Sequence, residues 1–200
     1  MRNFNVTTVS VPSGALTIDR REAAARLRTP VDYKSGIVSD CEAELKAALK
    51  CRYAYIKTPV KFSGENAVDI GFGAIKSRDL SRALGGCLEA YILGATVGIE
   101  ADRLLARLEI ISPAKYFITD ALASAAAESL CEYADRALRG EGEKPMRFSP
   151  GYGDLPLEIQ PQILESLNAA RTLGITLSAS LLMKPVKSVT AVMGIKRSSQ

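Results

Sequence analysis

Apolar and polar positions along this chain repeat with two periods. Phe4 to Val11 alternates Val and Thr, the two-residue period of a half-buried strand. Asp19 with Glu22 three residues on predicts a helix start, and that helix runs to about Leu27. Ser39 and Glu42 repeat the arrangement ahead of Cys41, Leu45, Ala48 and Leu49, which share one helical face. Tyr53 to Phe62 and Ala67 to Phe72 read as strands joined at Ser63-Gly64, a hairpin pattern. Ser77 predicts the cap of a short helix that stops at Gly85-Gly86. Cys87 to Val97 is apolar enough for a central strand, and Gly98 opens a helix with Leu104, Leu105 and Leu108 on one side. Ser112-Pro113 starts the longest helix, because Pro is tolerated at the first helical position. Phe117, Ile118, Ala121, Leu122 and Ala125 trace its predicted buried stripe, and it ends before Gly140. Leu157 to Gln160 leads into a short helix carrying Ile163, Leu164 and Leu167. Ile175 to Leu182 and Ser188 to Ile195 close the chain as two strands around Pro185. This alternation of strands and helices predicts an α/β protein.

Composition narrows the picture. A chain of 200 residues with 47% hydrophobic residues predicts one compact domain with a full core. It has no apolar run of about 18 residues, and its N-terminus lacks the basic-then-apolar order of a signal peptide, so a cytoplasmic protein with no membrane partner is expected. The four cysteines, Cys41, Cys51, Cys87 and Cys131, form no Cys-x-x-Cys pair and read as small core residues. The chain has no histidine, which removes the commonest general base and the commonest metal ligand. The net charge of +4 and the late cluster of Lys184, Lys187, Lys196 and Arg197 invite a nucleic-acid reading. Elsewhere, however, charges alternate in sign, as in Asp19-Arg20-Arg21-Glu22 and Asp135-Arg136, and aromatic and basic residues do not interleave as a stacking platform requires. No nucleic-acid partner is expected.

Gly140 to Leu157 is the one long stretch without periodicity, and long irregular loops in compact domains are often functional. Within it, Arg147-Phe148-Ser149-Pro150-Gly151-Tyr152-Gly153-Asp154-Leu155-Pro156 combines a fixed cation with an aromatic ring between two glycines. Arginine pairs bidentately with a carboxylate, and glycines let backbone approach a ligand closely. By composition alone the same Pro and Gly residues would sooner punctuate a turn between two helices. Val68-Asp69-Ile70-Gly71-Phe72-Gly73 looks like the acidic Gly-rich turn of Rossmann-type methyltransferases, with Asp69 on the ribose. It lacks the third glycine and the strand–turn–helix unit, and reads better as a turn leaving a strand.

The loop and the segment downstream of it resemble a known family. Arg147 to Tyr152 matches an Arg-x-x-Pro-Gly-Tyr loop, and Ser180 to Val189 matches a Ser-x-x-Met-x-Pro-x-x-Ser-Val segment. Both belong to the activation (reactivation) domain of cobalamin-dependent methionine synthase, here in a short stand-alone form. The likeness extends upstream through Ser77-Arg78-Asp79-Leu80, Ala95 to Arg103, and Asp120-Ala121 with Ser124 to Glu128. Two positions depart from the family. Met193 stands where an aromatic is expected, and Gly153 to Leu157 replaces Pro-Ala-Cys-Pro-Asp.

The resemblance implies a mainly antiparallel sheet flanked by helices, an α+β arrangement. It also implies an S-adenosylmethionine site in which Arg147 meets the ligand carboxylate and Tyr152 covers the adenosyl or sulfonium part. Ser149 and Gly151 would offer backbone groups, with Pro150 and Gly153 completing the loop and Glu128 near the ligand. Ala123 to Ala127, just before Glu128, would by residue chemistry alone serve close helix packing. The implied function is reductive remethylation of cob(II)alamin, within a methyltransferase system of methionine biosynthesis. Cobalamin would be held by a partner, a methionine synthase lacking its own activation domain, and a flavodoxin-like protein would donate the electron. The alternatives are a docking or assembly subunit of a corrinoid methyltransferase system and a Rossmann-type methyltransferase for a small acceptor.

Overall fold

The computed structural model describes residues 4–27, 32, 34–139 and 147–196. In chain order its elements are β1 (Thr7–Ser10), α1 (Arg20–Arg26), α2 (Gly36–Ala48), β2 (Arg52–Pro59), β3 (Lys61–Phe62), β4 (Ala67–Asp69), β5 (Ala74–Lys76), α3 (Arg78–Ala83), β6 (Glu89–Thr96), α4 (Ile99–Ile111) and α5 (Pro113–Arg139). They continue as β7 (Arg147–Phe148), α6 (Gln160–Ser166), α7 (Ala169–Thr172), β8 (Thr176–Leu177), β9 (Met183–Lys184) and β10 (Ser188–Ile195). The main sheet has the order β1-β2-β6-β10-β7, and every neighbouring pair in it is antiparallel. The antiparallel sheet flanked by helices is thus present. No helix among the described residues is long and apolar enough to cross a membrane.

Strict alternation along the three central strands divides the core in two. Tyr53, Leu93, Ala95 and Met193 face the layer formed by α1, α2, α4 and α5, while Ala54, Ile56, Ile92 and Val192 face α3, α6, α7 and the small β3-β4-β5 sheet. Register supports this division, since Ile56 pairs with Ile92 and Ile92 with Val192 across the three strands. Each large side chain that becomes fully buried here, such as Leu93 or Leu130, contributes about 1.5–3 kcal/mol of transfer free energy. The run from Ala123 to Ala127 lets α5 lie close against the sheet, and Ala123, Ala125, Ala126 and Ala127 are all buried in the larger core.

Local signals set most helix starts. The Asp19 carboxylate accepts from the amides of Arg21 and Glu22 at 2.7 and 3.2 Å, and the Ser77 hydroxyl accepts from Leu80 N at 3.0 Å. Gly98, at φ +95°, precedes α4 while its backbone passes within van der Waals reach of Lys50.

Four expectations change. Ser39 is not a cap, because α2 already starts at Gly36; its hydroxyl donates back to Ser35 O, and Glu42 forms ion pairs with Lys46 at 2.7 Å and with Arg20 of α1. The long strand of Tyr53 to Phe62 divides at Val60, whose amide bonds Leu88 O. Its first part joins the main sheet, and only Lys61–Phe62 forms the hairpin with β4. Phe117 is 60% exposed, because Ile118, Ala121, Leu122 and Ala125 already fill the face that meets the core and its neighbour lies about 100° away around the helix. Ile175 to Leu182 is not one strand. Thr176–Leu177 pairs with Met183–Lys184, and Ser178 to Leu182 turns between them, with the Ser178 amide donating to Leu182 O at 2.9 Å.

Candidate functional site

β10 is covered along its whole length by β6, but β7 covers its other edge only at Val192 and Met193. From Ser188 to Ala191 that edge carries no strand among the described residues, so its outward backbone groups are free of a ladder. A cavity of about 360 Å³ lies at this open edge. Ser188, Val189, Thr190 and Ala191 form one wall, and Phe148, Ser149, Pro150 and Tyr152 form the opposite one as the chain leaves β7. Glu128 and Arg147 line the α5 side, while Gln160 and Met183 line the other.

Arg147 pairs with Met193 in the ladder and therefore shares its sheet face, the one that meets α5. Its Nη2 donates to Glu128 Oε2 at 3.3 Å, while its Nη1 is buried with no hydrogen-bond partner among the described residues. The Arg147 side chain is 17% exposed and the Glu128 side chain 39%, so the pair stands at the boundary between cavity and core. Beneath it lies Cys131, whose thiol is pushed up to about 12 by burial, a shift that the neighbouring Arg147 cation opposes. A second cation ties the same helix to the sheet. Lys187 Nζ reaches Asp120 Oδ1 at 2.7 Å and Ser124 Oγ at 2.9 Å, and Asp120, Ser124 and Glu128 recur every fourth residue along one face of α5. Opposite, Gln160 is 4% exposed; it accepts from Thr190 Oγ1 at 3.2 Å and donates to Leu181 O at 3.3 Å.

Of the residues singled out in the sequence, Glu128, Arg147, Ser149, Pro150 and Tyr152 converge on the cavity. Tyr152 is 67% exposed at its mouth. Gly151 and Gly153 do not line it. Both hold positive φ, +85° and +54°, and shape the loop: the Gly151 amide donates to Leu155 O at 3.0 Å, so that amide is not free to meet a ligand. The Ser149 carbonyl likewise accepts from Tyr152 N at 3.1 Å. Met193 is fully buried in the core beside α5 and not in the cavity wall.

Gln160 and the strand from Ser188 to Ala191 were missed as site residues. The Ser-x-x-Met-x-Pro-x-x-Ser-Val segment was the signal for Met183 and Ser188, but nothing local marks Gln160, which comes from the start of another helix. The Rossmann alternative loses its key residue. Asp69 Oδ1 accepts from Gly71 N at 2.7 Å and Gly73 N at 3.1 Å, so this carboxylate closes its own turn between β4 and β5. The late basic cluster is not one surface either, since Lys187 is paired to α5; Arg197 lies outside the described residues.

Chemically the cavity offers a cation with unused donor capacity, a carboxylate, open strand backbone and an exposed ring. That set suits a zwitterionic small molecule with a flat ring. It outlines a candidate site of small-molecule size on a sheet edge of an α+β fold. No protein-family model matches the chain, and no curated protein matches it in sequence. Among solved structures the chain is similar to the crystal structure of the MetH reactivation domain bound to AdoHcy, with a TM-score of 0.74 and 17% identity, covering 99% of this chain and 80% of that one. The likeness establishes a shared fold over nearly the whole chain.

Proposed function

We propose that this protein binds S-adenosylmethionine in the cavity between α5, β10 and the Arg147–Gly153 loop. There it presents the sulfonium methyl to cobalamin on a partner, a methionine synthase lacking its own activation domain. The observation that carries this reading is the convergence of Glu128, Arg147 and Tyr152 on one cavity of about 360 Å³, in a fold similar to a reactivation domain that holds AdoHcy. That volume falls in the usual range of small-molecule sites, roughly 300–1,000 Å³.

Arg147 has a spare buried Nη1 and a long contact to Glu128, so it can turn its fork to the ligand carboxylate. Glu128, left half-paired, is placed for the ammonium or a ribose hydroxyl. Tyr152 would lie over the sulfonium or adenine by cation–π or stacking contact. The Ser188–Ala191 edge would offer backbone donors and acceptors to the base. The partner's cobalamin, reduced by one electron from a flavodoxin-like donor, would supply the nucleophile for the methyl group, and sulfur would leave as a neutral thioether. No proton moves, so this chain needs to align and not to ionise, and a protein without histidine is equipped for that.

Two measurements test the reading. Calorimetry should detect binding of S-adenosylmethionine to the purified protein, and the absorption spectrum of a cobalamin-loaded partner should show methylcobalamin forming only with this protein, S-adenosylmethionine and reductant together. No binding at millimolar ligand would refute the site, and binding without any effect on the cobalamin would favour a docking subunit.

A further inference from the structure

The cavity wall that bears Tyr152 is held from outside the site. We infer that Asp154 is a positioning residue for the cavity, fastening the Ser149–Tyr152 wall to the first turn of α3. This inference rests on the S-adenosylmethionine reading of the site.

The loop folds on itself through Tyr152 N to Ser149 O, Gly151 N to Leu155 O and Leu155 N to Tyr152 O, each at 3.0–3.1 Å. Those bonds shape the turn but do not aim it. Aim comes from Asp154, whose side chain crosses to a segment some 75 residues earlier. Its Oδ1 accepts from Ser77 Oγ at 2.5 Å and from Asp79 N at 3.1 Å, and its Oδ2 accepts from Arg78 N at 2.8 Å. These are charge-assisted bonds to amides that α3 would otherwise leave open at its start. The Ser77 hydroxyl, followed by the two amides, holds the Asp154 carboxyl below its usual range.

Next to Asp154 the backbone approach is equally close. A Cβ added at Gly153 would stand 2.5 Å from Asp79 Oδ2, and the residue already has φ +54°. Leu155, 2% exposed, plugs the core on the other side. Gly153, Asp154 and Leu155 therefore clamp one end of the loop, and Tyr152 is the first residue beyond the clamp. Without the carboxylate the turn loses its outside anchor and its internal bonds open more often, so the wall would oppose Ser188–Ala191 for only a fraction of the time. Apparent affinity falls by that fraction.

The test compares Asp154→Ala, Asp154→Asn and, as a control for global stability, Leu45→Ala in the buried face of α2, far from the loop. Calorimetry with S-adenosylmethionine and hydrogen exchange at the amides of Gly151, Leu155 and β6 are read for each variant. Asp154→Ala should weaken binding about tenfold and speed exchange at Gly151 and Leu155 while β6 amides stay as in the parent. Asp154→Asn keeps one acceptor oxygen and should recover part of both losses, whereas Leu45→Ala should lower the melting temperature and leave affinity unchanged. Parental affinity or parental loop exchange in Asp154→Ala would overturn the inference, as would an equal affinity loss in Leu45→Ala. If the parent itself does not bind S-adenosylmethionine, the proposed function falls, and the loop exchange alone then decides whether Asp154 positions the wall. Should Asp154→Ala fail to fold, Gly153→Ala carries the same two measurements.

Discussion

Replacing Arg147 with Met separates a binding role from a structural one, because the two predict opposite balances of stability and affinity. Among the described residues the guanidinium makes one ion pair, to Glu128 at 3.3 Å, and the Glu128 side chain is 39% exposed. A pair of that length and exposure is worth about 0.2–1 kcal/mol. Against it stands the buried Nη1, with no partner among the described residues, which costs about 1–3 kcal/mol of unrecovered desolvation. Methionine keeps most of the aliphatic stem and removes both terms, so the variant should be no less stable than the parent and should gain up to roughly 3 kcal/mol, a melting temperature up to roughly 10 °C higher for a chain of this size. Ligand binding should respond differently. If the spare donor capacity exists to meet a carboxylate, losing a charge-assisted pair costs about 1.5–3 kcal/mol, roughly 10- to 150-fold in Kd. Arg147→Lys should restore little of this, because a point charge lacks the planar fork. Calorimetric titration with S-adenosylmethionine and a thermal melt in the same buffer give both numbers. Parental affinity in Arg147→Met, or a melt lowered by about 10 °C or more with binding intact, would refute the assignment and make Arg147 a strut between β7 and α5.

Two further outcomes come from the titratable groups. Burial pushes the thiols of Cys51 and Cys131 up to about 11 and about 12, and all four cysteines are buried and free, so an aromatic disulfide reagent at pH 8 should find no fast-reacting thiol in the folded protein and four after denaturation; a fast thiol in the native state would show that one of these sites opens. Burial raises the Glu42 carboxyl, but its bonds to Lys46 and Arg20 outweigh that and hold it below its ordinary value. The resulting stability is fully present above the unfolded carboxylate value of about 4.3 and is lost as pH falls through the lower folded value. Glu42→Gln should therefore be less stable than the parent by about 1 kcal/mol at pH 7, with the two denaturation curves converging in acid, and a gap that persists below about pH 3 would contradict the ion-pair account.

Much of the local structure was legible in the residues. Asp19, Ser77 and Pro113 announced their helices, and the apolar run of Cys87 to Val97 announced a central strand, because a cap or a short apolar run is a property of near neighbours. Ser39 and Glu42 show the limit of that reasoning. Their spacing is that of a capping box, but Glu42 is claimed by Lys46 one turn on and by Arg20 of another helix, and a residue's partner cannot be read from its spacing when a competitor lies 22 positions away.

The candidate site divides the same way. The loop from Arg147 to Tyr152 stood out in the sequence by its residue types, and the cation, the ring and the turn glycines are all there. What the sequence could not state is where they face. Arg147 meets Glu128, 19 positions earlier, because β7 pairs with β10 in one register; Asp154 reaches Ser77, 77 positions earlier, because α3 packs beside the loop; and Gln160 enters the cavity wall through a hydrogen bond to Thr190. Met193 shows the reverse case: its place in the chain suggests the ligand, and α5 and the larger core cover it completely. Chain-local chemistry determined the elements and the binding loop by itself. The cavity arises where a two-residue strand leaves the edge of an eight-residue one uncovered, and only long-range packing decides which edge that is.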